Sequence, residues 1–124
     1  MSWKYEIFRA FFVAFGAFEV ISNGIFLIRK NGMELAARQH QELPPDRKDS
    51  QFKAKVLCMF SFGVLFLLSG LYSYVTHTFH FKEAVFTLTI FAIYAILEGC
   101  YYRYWKTIGF SCVSILFLVL FLII

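Results

Sequence analysis

Proline occurs at only two positions, Pro44 and Pro45, side by side. Proline removes a helix donor and clashes with the preceding turn. Its absence elsewhere permits long uninterrupted helices on both sides of that pair. Charge is also scarce, at 16% of residues against about 25% in an ordinary soluble domain. A 124-residue soluble chain that is 60% hydrophobic would have to hide its surplus in too small a core. The three cysteines, Cys58, Cys100 and Cys112, form no C-x-x-C pair and no even framework. Paired-thiol redox chemistry is therefore disfavoured. The spacing of Cys, His and Glu matches no metal-ligand pattern, and no metal or cofactor is expected. G-x-S-x-G, Walker, dinucleotide and H-E-x-x-H motifs are all lacking, so an enzyme is not expected. The net charge of +4 is modest and gives no basis for nucleic-acid binding.

What the chain has instead is long apolar runs. Residues 10–28, 56–74, 84–102 and 106–124 are each close to the 20 or so residues that cross a bilayer as helix. The first carries Lys4 and Arg9 ahead of it, as a signal peptide would. It is too long for one, contains Glu19 and lacks a small-x-small cleavage site, so it reads as a retained span. The expected fold is a single all-α domain, an integral membrane four-helix bundle. The one long polar stretch is the loop of 25 residues from Asn31 to Lys55. Its first part, NGMELAARQHQEL, has helix-forming composition and could carry the first helix on into water as far as the two prolines. Asp49 or Ser50 suits the N-cap of the next helix. Seven Lys and Arg lie in this loop or at its entrance (positions 29, 30, 38, 47, 48, 53 and 55) and two in the later turn at Arg103 and Lys106, against three on the other side. The bias puts the loop in the cytoplasm and both termini outside, an N-out/C-out topology in the plasma membrane.

Helical spacing groups the polar residues. In the first span Phe12, Gly16, Glu19, Ser22, Asn23 and Phe26 share a face, and Ala10, Ala14, Ala17 and Gly24 lie opposite. Small residues let helices approach closely in lipid, while polar ones need protein partners. That helix should thus touch protein on both sides, which a homo-oligomer or a larger membrane-protein partner supplies. Gly63 and Gly70 leave a groove on the second span, opposite a side lined by Cys58, Ser61, Leu65, Ser69 and Tyr72. In the third, Glu83, Thr87, Phe91, Tyr94, Glu98, Tyr101 and Trp105 form a stripe beside the small pair Ala95 and Gly99. The end of the fourth span, ILFLVLFLII, should face lipid all round.

Glu19 is the sharpest functional candidate. A charge at mid-bilayer costs about 2.5–3.5 kcal/mol on insertion scales, so something must offset it. Low dielectric favours the neutral form of a carboxyl group, the property that proton-coupled carriers use. Asn23 could donate to Glu19, and Ser22 could join them. Glu98, near the end of its span, could pair with Arg103 or Lys106, with Tyr94 beside it. The expected function is a transporter, or an ion- or proton-coupled ligand-binding protein, built on Glu19, Asn23, Ser22, Glu98 and Tyr94. The alternative is a non-catalytic accessory, regulatory or immunity subunit of a larger membrane complex.

Overall fold

The structure is a computed structural model that describes every residue except Met1, Pro45 and Arg47. Pro45 as a helix stop and Arg47 as a loop charge thus lie outside the described residues. The described chain is all-α. Four long helices, α1 (Trp3–Ile28), α3 (Asp49–Thr76), α4 (Phe81–Tyr102) and α5 (Trp105–Ile123), flank one short helix, α2 (Gly32–Gln39). Each long helix is long and apolar enough to cross a membrane, with mean hydropathy of 1.7 to 2.3 in its most apolar stretch. The chain is a multi-pass membrane protein. At 1.5 Å per residue, 26 residues of α1 and 28 of α3 reach about 40 Å, so both project past the hydrocarbon.

The four spans form two pairs. α1 packs along α3, and α4 along α5. The first pair meets through glycine. A Cβ at Gly63 would lie 2.9 Å from the Glu19 Cβ and 3.0 Å from the Val20 nitrogen, and one at Gly16 would lie 2.8 Å from the Gly63 carbonyl oxygen. Backbones this close gain dispersion contacts along their length, the main attraction available between helices in lipid. In the second pair the Ser111 hydroxyl donates to the Ala95 carbonyl, beside Gly99. The α1 and α5 backbones nowhere come within 8 Å of each other, Cα to Cα. Aromatic side chains bridge them toward the termini. Phe8 lies 4.6 Å from Phe121 and 5.1 Å from Phe117, and Phe11 lies 4.6 Å from Phe117, ring centre to ring centre.

Two expectations change, for the first helix and for the end of the last. The first helix does not run on into the loop: it ends at Ile28, the chain turns through Arg29–Asn31, and α2 folds back. Glycine makes that turn possible, because a Cβ at Gly32 would overlap the Phe26 carbonyl. The end of α5 is not lipid-facing all round, since Phe121 is fully buried among Phe8, Phe79 and Phe81 with Lys4 4.8 Å from its ring centre. Ser61 and Tyr72 on α3 face outward, the Ser61 hydroxyl donating to the Leu57 carbonyl within its own helix.

Candidate functional site

Glu19 sits about two and a half turns from the loop-side end of α1 and is only 5% exposed. Asn23, one turn further, is fully buried. Its amide nitrogen donates to Glu19 Oε2 at 2.6 Å and to the Glu19 carbonyl at 2.7 Å. Both amide protons are thereby used, and Asn23 Oδ1 is left as an acceptor. His40 Nε2 lies 2.7 Å from that oxygen, so this ring nitrogen is the donor. Such a contact follows from the fold of the loop. α2 turns a face of Ala36 and His40 toward Phe26 and Val56, and its amphipathic spacing keeps Glu34 and Arg38 outside.

Beyond His40 the loop continues under the bundle. Leu43 is buried, and the Thr107 hydroxyl at the start of α5 donates to the Glu42 carbonyl. This holds the Glu42 carboxylate 3.6 Å from His40 Nδ1 and 3.0 Å from the Lys55 ammonium. Lys55 is 2% exposed. Its Nζ also donates to Glu98 Oε1 at 2.7 Å, and the Tyr94 hydroxyl donates to Glu98 Oε2 at 2.6 Å. Aromatic faces complete the lysine's surroundings, with Phe110 4.2 Å and Tyr94 5.1 Å from Nζ. Burial disfavours the charged form of Glu42, but the neighbouring His40 and Lys55 outweigh it and hold its carboxyl down at about 2.

Seven side chains thus form one run of contacts, Glu19–Asn23–His40–Glu42–Lys55–Glu98–Tyr94. It passes from α1 through the loop to α3 and α4. The arithmetic of charge is uneven. The run holds three carboxylates and one lysine, an excess of two negative charges with His40 neutral and of one with His40 charged; Glu42 and Glu98 touch the lysine and Glu19 does not. Lys106 is the other cation near this cluster, on the wall of the adjoining cavity.

That cavity has a volume of about 730 Å³ and lies between the two helix pairs. Phe15, Phe66, Phe91, Phe110 and Phe117 form much of its wall. Glu19, His40 and Glu42 stand at its loop end. On the other flank of the Lys55–Glu98 pair is a smaller recess of about 370 Å³, bounded by Ser50, Cys58, Tyr94 and Tyr101. The polar run therefore joins a recess on one side to an apolar chamber on the other.

Comparison with protein-family models, with curated proteins and with solved structures finds no match for this chain. The functional reading therefore rests on the geometry. Of the residues singled out from sequence, Glu19 and Asn23 meet each other, as do Tyr94 and Glu98. Ser22 stays outside the cluster, its hydroxyl donating to the Phe18 carbonyl and accepting from Gln39. Glu98 pairs with Lys55 rather than with Arg103 or Lys106. Sequence reasoning placed Lys55 among the loop charges, His40 in the loop below the membrane, and Glu42 nowhere in particular. One signal pointed to the lysine: Lys55, Met59, Phe66 and Ser73, spaced by 4, 7 and 7, share the buried face of α3. Among the described residues, no group of three or more His, Cys, Asp and Glu side chains is placed to hold a metal ion.

Proposed function

We propose that the protein is a small membrane carrier, or ligand-binding protein, whose working cycle is coupled to a proton or another cation at Glu19. The observation that carries this reading is the excess of carboxylate in a buried cluster. An uncompensated charge out of water is costly, so the cluster is completed by a proton or a bound cation. Polar side chains in continuous contact, hydrogen-bonded except across the 3.6 Å step from His40 to Glu42, suit proton movement between the recess beside Glu98 and the chamber beside Glu19. Intramembrane carboxylates with this company are a common feature of proton-linked transport. The strong positive bias of the loop supports placing that side in the cytoplasm of a plasma membrane.

Counting protons tests the reading. Wild-type protein and the Glu19→Gln variant, both in lipid nanodiscs, are titrated across the neutral range with a calibrated pH dye. Wild type should take up about one proton more per chain, while Glu34→Gln, on the exposed face of α2, should match wild type. Identical uptake by wild type and Glu19→Gln in folded protein would rule out Glu19 as the coupling group.

A second reading has an observation of its own. Ala10 and Ala14 on α1 are exposed, although the opposite face of that helix is packed on α3. A small-residue face left open to lipid suits attachment to another membrane helix. In that case the protein is an accessory or regulatory subunit, or one protomer of an oligomer. Glu19→Gln would then leave function near normal or impair assembly.

A further inference from the structure

We infer that the chamber is a binding site for an amphipathic organic cation, a protonated amine or quaternary ammonium on an apolar body. This inference rests on the carboxylate excess used above and adds the identity of the ligand. Four features of the chamber carry it. A volume of about 730 Å³ falls within the ~300–1,000 Å³ typical of small-molecule sites. Its wall is largely phenylalanine, and ring faces attract cations as well as apolar groups. The loop end holds Glu19 and Glu42 with Gln39, Gln41 and His40 as hydrogen-bonding neighbours, and Lys106 as the one cation on the wall. Finally, Glu19 has spare capacity. Its Oε2 is occupied by Asn23, whereas Oε1 has no hydrogen-bond partner among the described residues, although the residue is 95% buried by its 5% exposure and lines the chamber.

Shape and charge then agree on an orientation. The ammonium lies at Glu19, and the apolar body extends toward Phe11, Phe66 and Phe117. An anion of equal shape would meet two carboxylates at the polar end. The cation could enter from solution at the loop side. It could also enter sideways from the membrane, since the α1 and α5 backbones stay more than 8 Å apart. The chemistry is the same by either route.

Calorimetry on the intact protein in phosphatidylcholine nanodiscs tests this with two ions of matched shape, tetraphenylphosphonium and tetraphenylborate. Tetraphenylphosphonium should bind at a single saturable site and tetraphenylborate should not. Glu19→Gln should weaken the cation about tenfold or more. Phe18→Leu, which removes a ring from the chamber rim where Phe18 is exposed, should weaken it by a smaller factor without touching the packed core. A second set of nanodiscs containing stearylamine separates the sources. Competition with tetraphenylphosphonium places the ligand's entry in the membrane, and its absence alongside tight binding places it in solution. Equal binding of anion and cation, or cation binding unchanged by both substitutions, would overturn the assignment. Failure of tetraphenylphosphonium to bind where wild type and Glu19→Gln still differ in proton uptake would overturn the ligand class alone. Cation binding with identical proton uptake would overturn the coupling and leave the ligand class standing.

Discussion

The two ends of the bundle solve the problem of holding four helices together in opposite ways. At the termini end, aromatic rings close the gap between the helix pairs: Phe8, Phe12, Phe66 and Phe121 are buried, and α1 meets α5 through Phe8, Phe11 and Phe117. Polar anchoring there is peripheral, with Arg9 bridging Glu6 and the Ser73 carbonyl across the ring of Tyr74. At the loop end the same helices part around a chamber. There they are joined by ions and amides, with Lys55 between Glu42 and Glu98 and Asn23 between Glu19 and His40. Dispersion between rings is insensitive to protons and ligands, whereas a buried cluster with unequal charge responds to both. The contrast assigns structure to one end and chemistry to the other.

The largest expected effect comes from breaking the loop end at Lys55. Lys55→Met strands Glu42 and Glu98 without their shared cation, and loss of one partner of a buried ion pair costs about 3–5 kcal/mol. Unfolding in detergent mixtures should show it, and adding Glu98→Gln to the same protein should recover part of the loss. Phe121→Ala attacks the other end and should cost about 3 kcal/mol, near the lower bound for removing a buried aromatic ring. It should leave proton uptake unchanged, which Lys55→Met should not.

Acid sharpens the comparison further. The Glu42 carboxyl falls from 4.5 in the unfolded chain to about 2 in the folded one. A depressed carboxyl stabilises the fold above the unfolded value and loses that contribution as pH drops toward the folded one. At about 1.4 kcal/mol per pK step, roughly 3 kcal/mol should disappear between about pH 4.5 and pH 2, and Glu42→Gln should flatten that part of the profile. The smallest expected effect lies outside both ends. His77 caps α3 with φ of 55°, a left-handed conformation that costs a residue with a Cβ about 1 kcal/mol. His77→Gly should raise stability by about that amount and leave ligand binding unaltered.

Much of this architecture can be read from the chain before any coordinates. Four apolar runs of bilayer length gave the four spans, and the glycine groove of Gly63 and Gly70 does receive α1. Polar pairs one turn apart, Glu19 with Asn23 and Tyr94 with Glu98, follow from helical period alone. The cluster's middle is of another kind. Lys55 and Glu98 are 43 residues apart, and His40 reaches Asn23 only because the chain reverses at Arg29–Asn31. That reversal depends on the missing side chain of Gly32 against the Phe26 carbonyl, a contact that periodicity does not encode. The loop read as solvated because its composition is polar, yet it supplies three of the seven members of the cluster, His40, Glu42 and Lys55.

Infrared spectroscopy of the protein in nanodiscs at neutral pH addresses the charge excess most directly, because a protonated carboxyl group has a stretching band that a carboxylate lacks. The account expects wild type to show such a band, Glu19→Gln to lose it, and tetraphenylphosphonium to reduce it in wild type. A wild-type spectrum with no protonated carboxyl, or a band that survives Glu19→Gln unchanged, would contradict the claim that the cluster holds a proton at Glu19.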